Sequence, residues 1–237
     1  MKHKVAILIF SFGVFLGIVF FGFAAWGDLE ASLFAPSIKP GAPLETMHCP
    51  VAITAHEIAV IRATVENTTD RTIDANMRSF MSQGLVTLIK QEDTRFVLAP
   101  GENKTLIWEA SPEDAVYGLF IFARLYLYAI YPQPSLGSSC GILVVNVPFL
   151  SGNQLVTLVV ALSLLCMLAG LGFWYQLNRP LKGNIRFMTQ SMLALTIFLV
   201  AGMLTTIPGW WLPGLILLAI TVLLIVTILA NIILSSE

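Results

Sequence analysis

Four stretches of this chain, residues 5–27, 155–177, 187–207 and 212–234, carry no charged residue at all. About 20 apolar residues suffice to cross the hydrocarbon of a bilayer as a helix. In hydrocarbon only a helix satisfies every backbone hydrogen bond within one segment. Four spanning helices are therefore expected, with the lipid bilayer as the first partner. Composition agrees: 57% of residues are hydrophobic, 11% are charged, and mean hydropathy is +0.82. An ordinary water-soluble domain carries about a quarter charged residues. An ordinary cytosolic globule, a disordered chain and a nucleic-acid binder with a basic patch are thereby excluded. The net charge of −1 singles out no partner.

The first stretch, with Lys2 and Lys4 ahead of it and Ala24 and Ala25 near its end, has the outline of a signal peptide. The apolar part of a signal peptide runs only about 7–15 residues, so a retained anchor over 1–27 is the expected state and cleavage the alternative. Orientation follows from Lys and Arg in short connections. Lys2 and Lys4 precede the first span, and Arg179, Lys182 and Arg186 fill the second-to-third connection. The loop Pro208-Gly209-Trp210-Trp211 has no charge, and the tail is Ser235-Ser236-Glu237. Both termini and the second-to-third connection are expected to be cytoplasmic, in a multi-pass plasma (inner) membrane protein. Trp26, Trp174, Tyr175, Trp210 and Trp211 fall at span ends, where aromatic belts form.

Residues 28–153 then form one extracytoplasmic domain, and 154–237 three further spans. The outer segment holds thirteen of the fourteen acidic residues and eight of the thirteen basic ones, a net charge of −5. It opens on a linker punctuated by Pro36, Pro40, Gly41 and Pro43. Period-two patterning follows: Ala59, Ile61, Ala63 and Val65 alternate with Val60, Arg62, Thr64 and Glu66, the signature of a half-buried strand. Further strands are expected over 71–77, 85–90, 95–98, 105–109, 119–131 and 141–147. Pro100-Gly101-Glu102-Asn103 and Pro112-Glu113-Asp114 are turns by chemistry. About seven short strands at regular spacing read as an antiparallel sandwich.

The stretch Leu98-Ala99-Pro100-Gly101-Glu102-Asn103-Lys104-Thr105-Leu106-Ile107-Trp108 resembles a hairpin found in bacterial immunoglobulin-like and fibronectin-III-like envelope domains. The layout as a whole resembles prokaryotic multi-pass membrane proteins with an immunoglobulin-like extracytoplasmic domain. This resemblance implies a fold class and no reaction. Claudin-type proteins share a large first outer loop, but their Gly-Leu-Trp and paired cysteines are absent here. Tetraspanins place the large loop between the third and fourth spans.

Cys49 and Cys140 both lie in the outer segment, where an oxidising compartment makes them the natural disulfide. A structural staple is favoured over a redox pair because there is no Cys-x-x-Cys. Cys166, inside the second span, is a small packing residue. His48, Cys49 and His56 supply at most three of the four ligands of a structural zinc site. Asp70, Asp74, Glu92, Asp93, Glu113 and Asp114 lack the order of a calcium loop. No metal and no cofactor is expected. Catalytic motifs of the Gly-x-Ser-x-Gly, His-Glu-x-x-His and Walker kinds are absent. Asn67-Thr68-Thr69 and Asn103-Lys104-Thr105 match the N-glycosylation pattern.

No Asp, Glu, Lys, Arg or His interrupts the spans, whereas transporters and proton relays place charge at depth. Gln190, Ser191, Thr196 and Asn231 suit interhelical or interface positions, and Gly13-x-x-x-Gly17 permits close helix packing. The expected function is non-enzymatic: the outer sandwich binds or scaffolds a membrane or envelope partner, or a second copy of the chain. The alternatives are a transport or channel component, and an envelope enzyme using His48 or His56. The strand over 119–131 supplies the candidate surface. Leu119, Ile121, Ala123, Leu125 and Leu127 form an aliphatic face that suits a sandwich interior. Phe120, Phe122, Arg124, Tyr126 and Tyr128 form an aromatic face of the composition enriched in interface cores. The competing reading of that aromatic face is burial within the domain or contact with the membrane surface.

Overall fold

The computed structural model describes residues 2–35, 40–131, 133–180, 183–206 and 209–234. Pro36, Lys182, Pro208 and the tail 235–237 lie outside the described residues, as does the side chain of Asn231. The chain divides into two compact units, one of Met1–Ala25 with Val156–Glu237 and one of Trp26–Leu155.

The second unit is a β-sandwich. Its strands are β1 (Ala42–Pro43), β2 (Ala52–Thr54), β3 (Ala59–Glu66), β4 (Ile73–Gln83), β5 (Leu85–Leu98), β6 (Asn103–Ala110), β7 (Phe120–Leu127) and β8 (Leu136–Val145). One sheet has the order β1-β8-β7-β4-β5, with β2 also paired to β8; β3 and β6 form a separate two-stranded sheet. The expectation of a wholly antiparallel sandwich is corrected here, because β1 and β2 both pair with β8 in parallel. Those strands are two and three residues long, too short for any alternation to announce them. The strands expected over 85–90 and 95–98 are one continuous fourteen-residue strand.

Period-two burial builds the core. Ala59, Ile61, Ala63 and Val65 of β3 are buried while Arg62 and Glu66 are exposed. Facing side chains Met77, Leu98, Ile121, Leu125 and Ile142 are fully buried, with Trp108 packed among them. Each such side chain contributes about 1.5–3 kcal/mol through removal from water. Gly101 takes φ +72° in the turn before β6, a conformation that glycine adopts without steric cost.

Four helices, α1 (Lys2–Leu33), α2 (Gly152–Leu177), α3 (Asn184–Thr205) and α4 (Trp211–Leu234), are long and apolar enough to cross a membrane. Residues 28–33, expected to be linker, instead continue α1. The charges at Asp28 and Glu30 end the apolar run but not the helix. Asp28 is buried and accepts a hydrogen bond from the Gly141 N–H at 3.1 Å.

Within the first unit, the Ser163 hydroxyl donates to the Gly13 carbonyl at 2.7 Å. A Cβ on Gly13 would stand 2.7 Å from the Ser163 carbonyl oxygen and 2.8 Å from the Met167 nitrogen. On Gly17 it would stand 2.6 Å from Leu199 Cδ2 and 2.8 Å from Ser163 Oγ. These two glycines thus let α1 approach α2 and α3. Thr196, read as a candidate interhelical donor, bonds back to Met192 of its own helix. Trp174 Nε1 donates to Thr189 Oγ1 at 3.0 Å, joining α2 to α3. Apolar side chains such as Leu165, Leu212, Leu223 and Val226 are exposed on the outside of this unit.

Candidate interaction surface

The aromatic side of β7 is largely occupied by the chain itself. Phe120 and Phe122 are 4% and 1% exposed. They pack with Ala31, Phe34 and Ala35 at the end of α1 and with Phe80 and Val116. The Phe34 and Phe122 ring centroids are 5.9 Å apart, and those of Phe120 and Phe122 6.1 Å. The reading of Phe120 and Phe122 as a free partner surface is therefore corrected. Alternation separates two faces of a strand but does not say what covers each, and here the cover is the helix that precedes the domain.

Arg124 belongs to the same arrangement. Its Nη1 donates to the carbonyls of Phe34 at 2.9 Å and Ala35 at 3.2 Å. Both acceptors lie just beyond Leu33, the last residue of α1, so Arg124 ties down the segment that leaves the helix, and a cation near a helix C-terminus also complements the dipole. The strand itself is shorter than the expected 119–131, running from Phe120 to Leu127. Leu119 precedes it and is exposed rather than facing the interior.

The remainder of the aromatic row stays half-buried. Tyr126 and Tyr128 meet edge to face with centroids 5.0 Å apart. The Arg78 guanidinium lies 5.4 Å from the Tyr128 ring centre, and its Nε donates to Asp93 Oδ1 at 2.6 Å. That bond to Arg78 holds the Asp93 carboxyl below its ordinary value. Asp93 sits on β5, which ends the sheet and is exposed from Leu85 to Asp93. Tyr126, Tyr128, Arg78 and the outer edge of β5 thus form one continuous surface. Glu92 and Asp93 lie between the strands expected over 85–90 and 95–98, and the pairing of Arg78 with Asp93 shows why the charged pair fits an edge strand. An apolar run ending in Lys90-Gln91-Glu92-Asp93 was the available signal.

Cys49 and Cys140 are joined, with S–S 2.00 Å and Cα–Cα 6.5 Å. The bridge ties the segment before β2 to β8. Cys49 is thereby removed from any metal set with His48 and His56, both of which are exposed. Among the described residues no three His, Cys, Asp or Glu side chains come together as metal ligands.

Glu57 closes the other junction of the domain. Its Oε2 accepts from Thr54 N at 2.8 Å, Thr54 Oγ1 at 2.9 Å and Gly152 N at 2.7 Å. These bonds, the Thr54 N–H first, hold its carboxyl below the ordinary glutamate value. A carboxylate at the first turn of α2 also suits the positive end of the helix dipole. Asn67, one of the two glycosylation matches, is fully buried. Its amide donates to Arg71, Leu98 and Ala99 carbonyls, and its oxygen accepts from Thr69. That side chain is a structural lock on the turn and has no face left for a glycan; Asn103 is exposed.

No protein-family model matches the chain, and no curated protein matches it. Among solved structures the chain is similar to a CARDB domain from Pyrococcus furiosus, at 12% identity over 42% of this chain and 84% of that one, with a TM-score of 0.33. It is similar to a Paenibacillus cycloisomaltooligosaccharide glucanotransferase at 11% identity over 46% of this chain and 14% of that one, TM-score 0.33. A Listeria innocua β-glucosidase matches at 13% identity over 42% of this chain and 15% of that one, TM-score 0.30. The chain spans only a small part of the two enzymes, and at these scores the likeness carries nothing about activity.

Proposed function

We propose that this is a non-enzymatic multi-pass membrane protein whose β-sandwich, of immunoglobulin-like type, stands outside the plasma membrane and holds a partner within an envelope complex. In this reading the four helices span the bilayer, with both termini and the α2–α3 connection in the cytoplasm. Lys2, Lys4, Arg179, Lys182 and Arg186 support the orientation through the positive-inside rule. The Cys49–Cys140 bridge suits an oxidising compartment.

The observation that carries partner binding is the surface of Tyr126, Tyr128 and Arg78 beside the open edge of β5. Tyr and Arg supply most interface hot spots, and an edge strand offers unpaired backbone groups to an incoming chain. The test is purification of the full-length protein in mild detergent, comparing the natural chain with the double variant Tyr126→Ser, Tyr128→Ser. Loss of one hot-spot tyrosine costs about 2 kcal/mol or more, so the double variant is expected to lose a stoichiometric partner while keeping its thermal transition. Retention of the partner by a folded double variant overturns the site. An unfolded double variant assigns these tyrosines to the core.

A further inference from the structure

One end of the β-sandwich differs chemically from the other. Four features converge on it: the turn at 55–58, the β4–β5 hairpin, the loop at 111–119 and the segment 146–151 between β8 and α2. Hydrogen bonds and strand pairing fix that convergence. Gly84 N donates to the Asp114 carbonyl at 3.2 Å, and Ser82 Oγ to the same oxygen at 2.9 Å. Ala59 pairs with Ala110, Val144 N donates to the Leu119 carbonyl at 2.7 Å, and Glu57 accepts from Gly152 N at 2.7 Å.

Asp28 and Gly152, each a few residues from where the chain leaves this unit, both lie at this end. Asp28 is bonded to Gly141, whose strand partner Phe122 lies near the start of β7. From there the last turn of α1 lies over β7, and the carbonyls of Phe34 and Ala35 just after it accept from Arg124. Gly152, where α2 begins, lies at this end too, bonded to Glu57.

The exposed side chains here are large and apolar. Trp26, Ile58, Leu85, Leu88, Tyr117 and Phe149 are between 50% and 91% exposed. Tyr117 is held at φ +56°, a conformation uncommon outside glycine. Of the carboxylates at this end, Glu57 and Asp114 accept from backbone N–H groups, while Glu113 remains exposed, as do His56 and Lys90. At the opposite end, the turns over 67–72 and 99–104 expose Thr68, Asp70, Arg71, Glu102 and Lys104, and the loop between β7 and β8 exposes one large ring, Tyr131. Along β5 the order from the hairpin is Leu85 to Ile89, apolar except for Thr87, then Lys90, then Glu92 and Asp93. That gradient matches passage from the acyl boundary through phosphate to water.

From this placement we infer that the apolar end of the sandwich is a lipid-binding surface. The hairpin, Tyr117 and Phe149 insert into the headgroup region, as interfacial aromatic and aliphatic residues do. The inference rests on the reading that the helices span the bilayer.

The experiment uses the full chain, with Cys166→Ala, in proteoliposomes of phosphatidylethanolamine and phosphatidylglycerol. Single cysteines replace Leu88, Tyr117, Phe149, Tyr131 or Leu223, and each carries a polarity-sensitive fluorophore. Nitroxides are placed on the lipid headgroup, the upper acyl chain or the chain end. Labels at 88, 117 and 149 are expected to emit at shorter wavelength, with quenching by headgroup and upper-chain nitroxides several-fold greater than at 131. The label at 223 reports the spanning reading separately, through quenching by nitroxide in the chain. Quenching at 223 with none at 88, 117 and 149 overturns the lipid surface and leaves the spans intact. A blue shift at those three positions without lipid quenching assigns the surface to protein contact and also overturns it. Absence of quenching at all five positions removes both readings.

Discussion

Replacement of Gly141 by alanine is expected to destabilise the β-sandwich by about 3 kcal/mol, the upper part of the range for overpacking a close contact. A Cβ at this position would stand 2.8 Å from Gly27 Cα and nearer still to the Gly27 carbonyl group. The obstacle is backbone on both sides, so no side chain can rotate away. Relief requires the end of α1 to lift from β8. That movement breaks the bond between Asp28 and the Gly141 N–H and uncovers Phe120 and Phe122. For a domain of this size the loss corresponds to a fall of roughly 10 °C in Tm, read by thermal unfolding of the purified protein. Limited proteolysis should show earlier cleavage between α1 and β1. Gly172→Ala is the control, because nothing lies within 4 Å of its added carbon. Equal Tm values for the two variants would contradict the close crossing of α1 over β8.

Removal of the Cys49–Cys140 bridge is expected to cost about 2–5 kcal/mol. The two cysteines are 91 residues apart, and loop-closure entropy alone for a loop of that order gives roughly 4–5 kcal/mol. The bridge secures the segment ahead of β2, whose three residues pair with β8 on the edge of the main fold. Cys49→Ser, Cys140→Ser should therefore lower Tm substantially, and the natural protein should change mobility between reducing and non-reducing gels. Free thiols at both positions in protein isolated from the membrane would contradict the pairing.

Several parts of this fold were legible because one physical pattern dominates each. The alternation from Ala59 to Glu66 has a single solution, a strand buried on one face, and the structure places it at those residues. The four apolar stretches admit little but helix. Two cysteines in one segment leave one pairing within it. The less legible parts depend on partners far away in sequence. Phe120 and Phe122 look like an interface until Phe34 is brought over them. Asp28 and Glu30 look like the end of a helix until Asp28 meets the Gly141 N–H. Glu92 and Asp93 fall between two expected strands until Arg78 crosses from β4 to hold Asp93. The short parallel strands β1 and β2 are defined by β8 alone, and no local periodicity could reveal them. The exposed end bearing Leu85, Tyr117 and Phe149 was hidden for the same reason, since its four pieces are scattered along the sequence.

In the proposed topology the sandwich stands outside a membrane crossed by the four helices. Thiol accessibility in intact cells tests this, in a Cys166→Ala background with single cysteines at Lys104 or Lys182. A membrane-impermeant maleimide is expected to label the chain carrying Lys104→Cys without permeabilisation. The chain carrying Lys182→Cys is expected to be labelled only after the membrane is opened. Labelling of Lys182→Cys in intact cells, with Lys104→Cys protected, would contradict it.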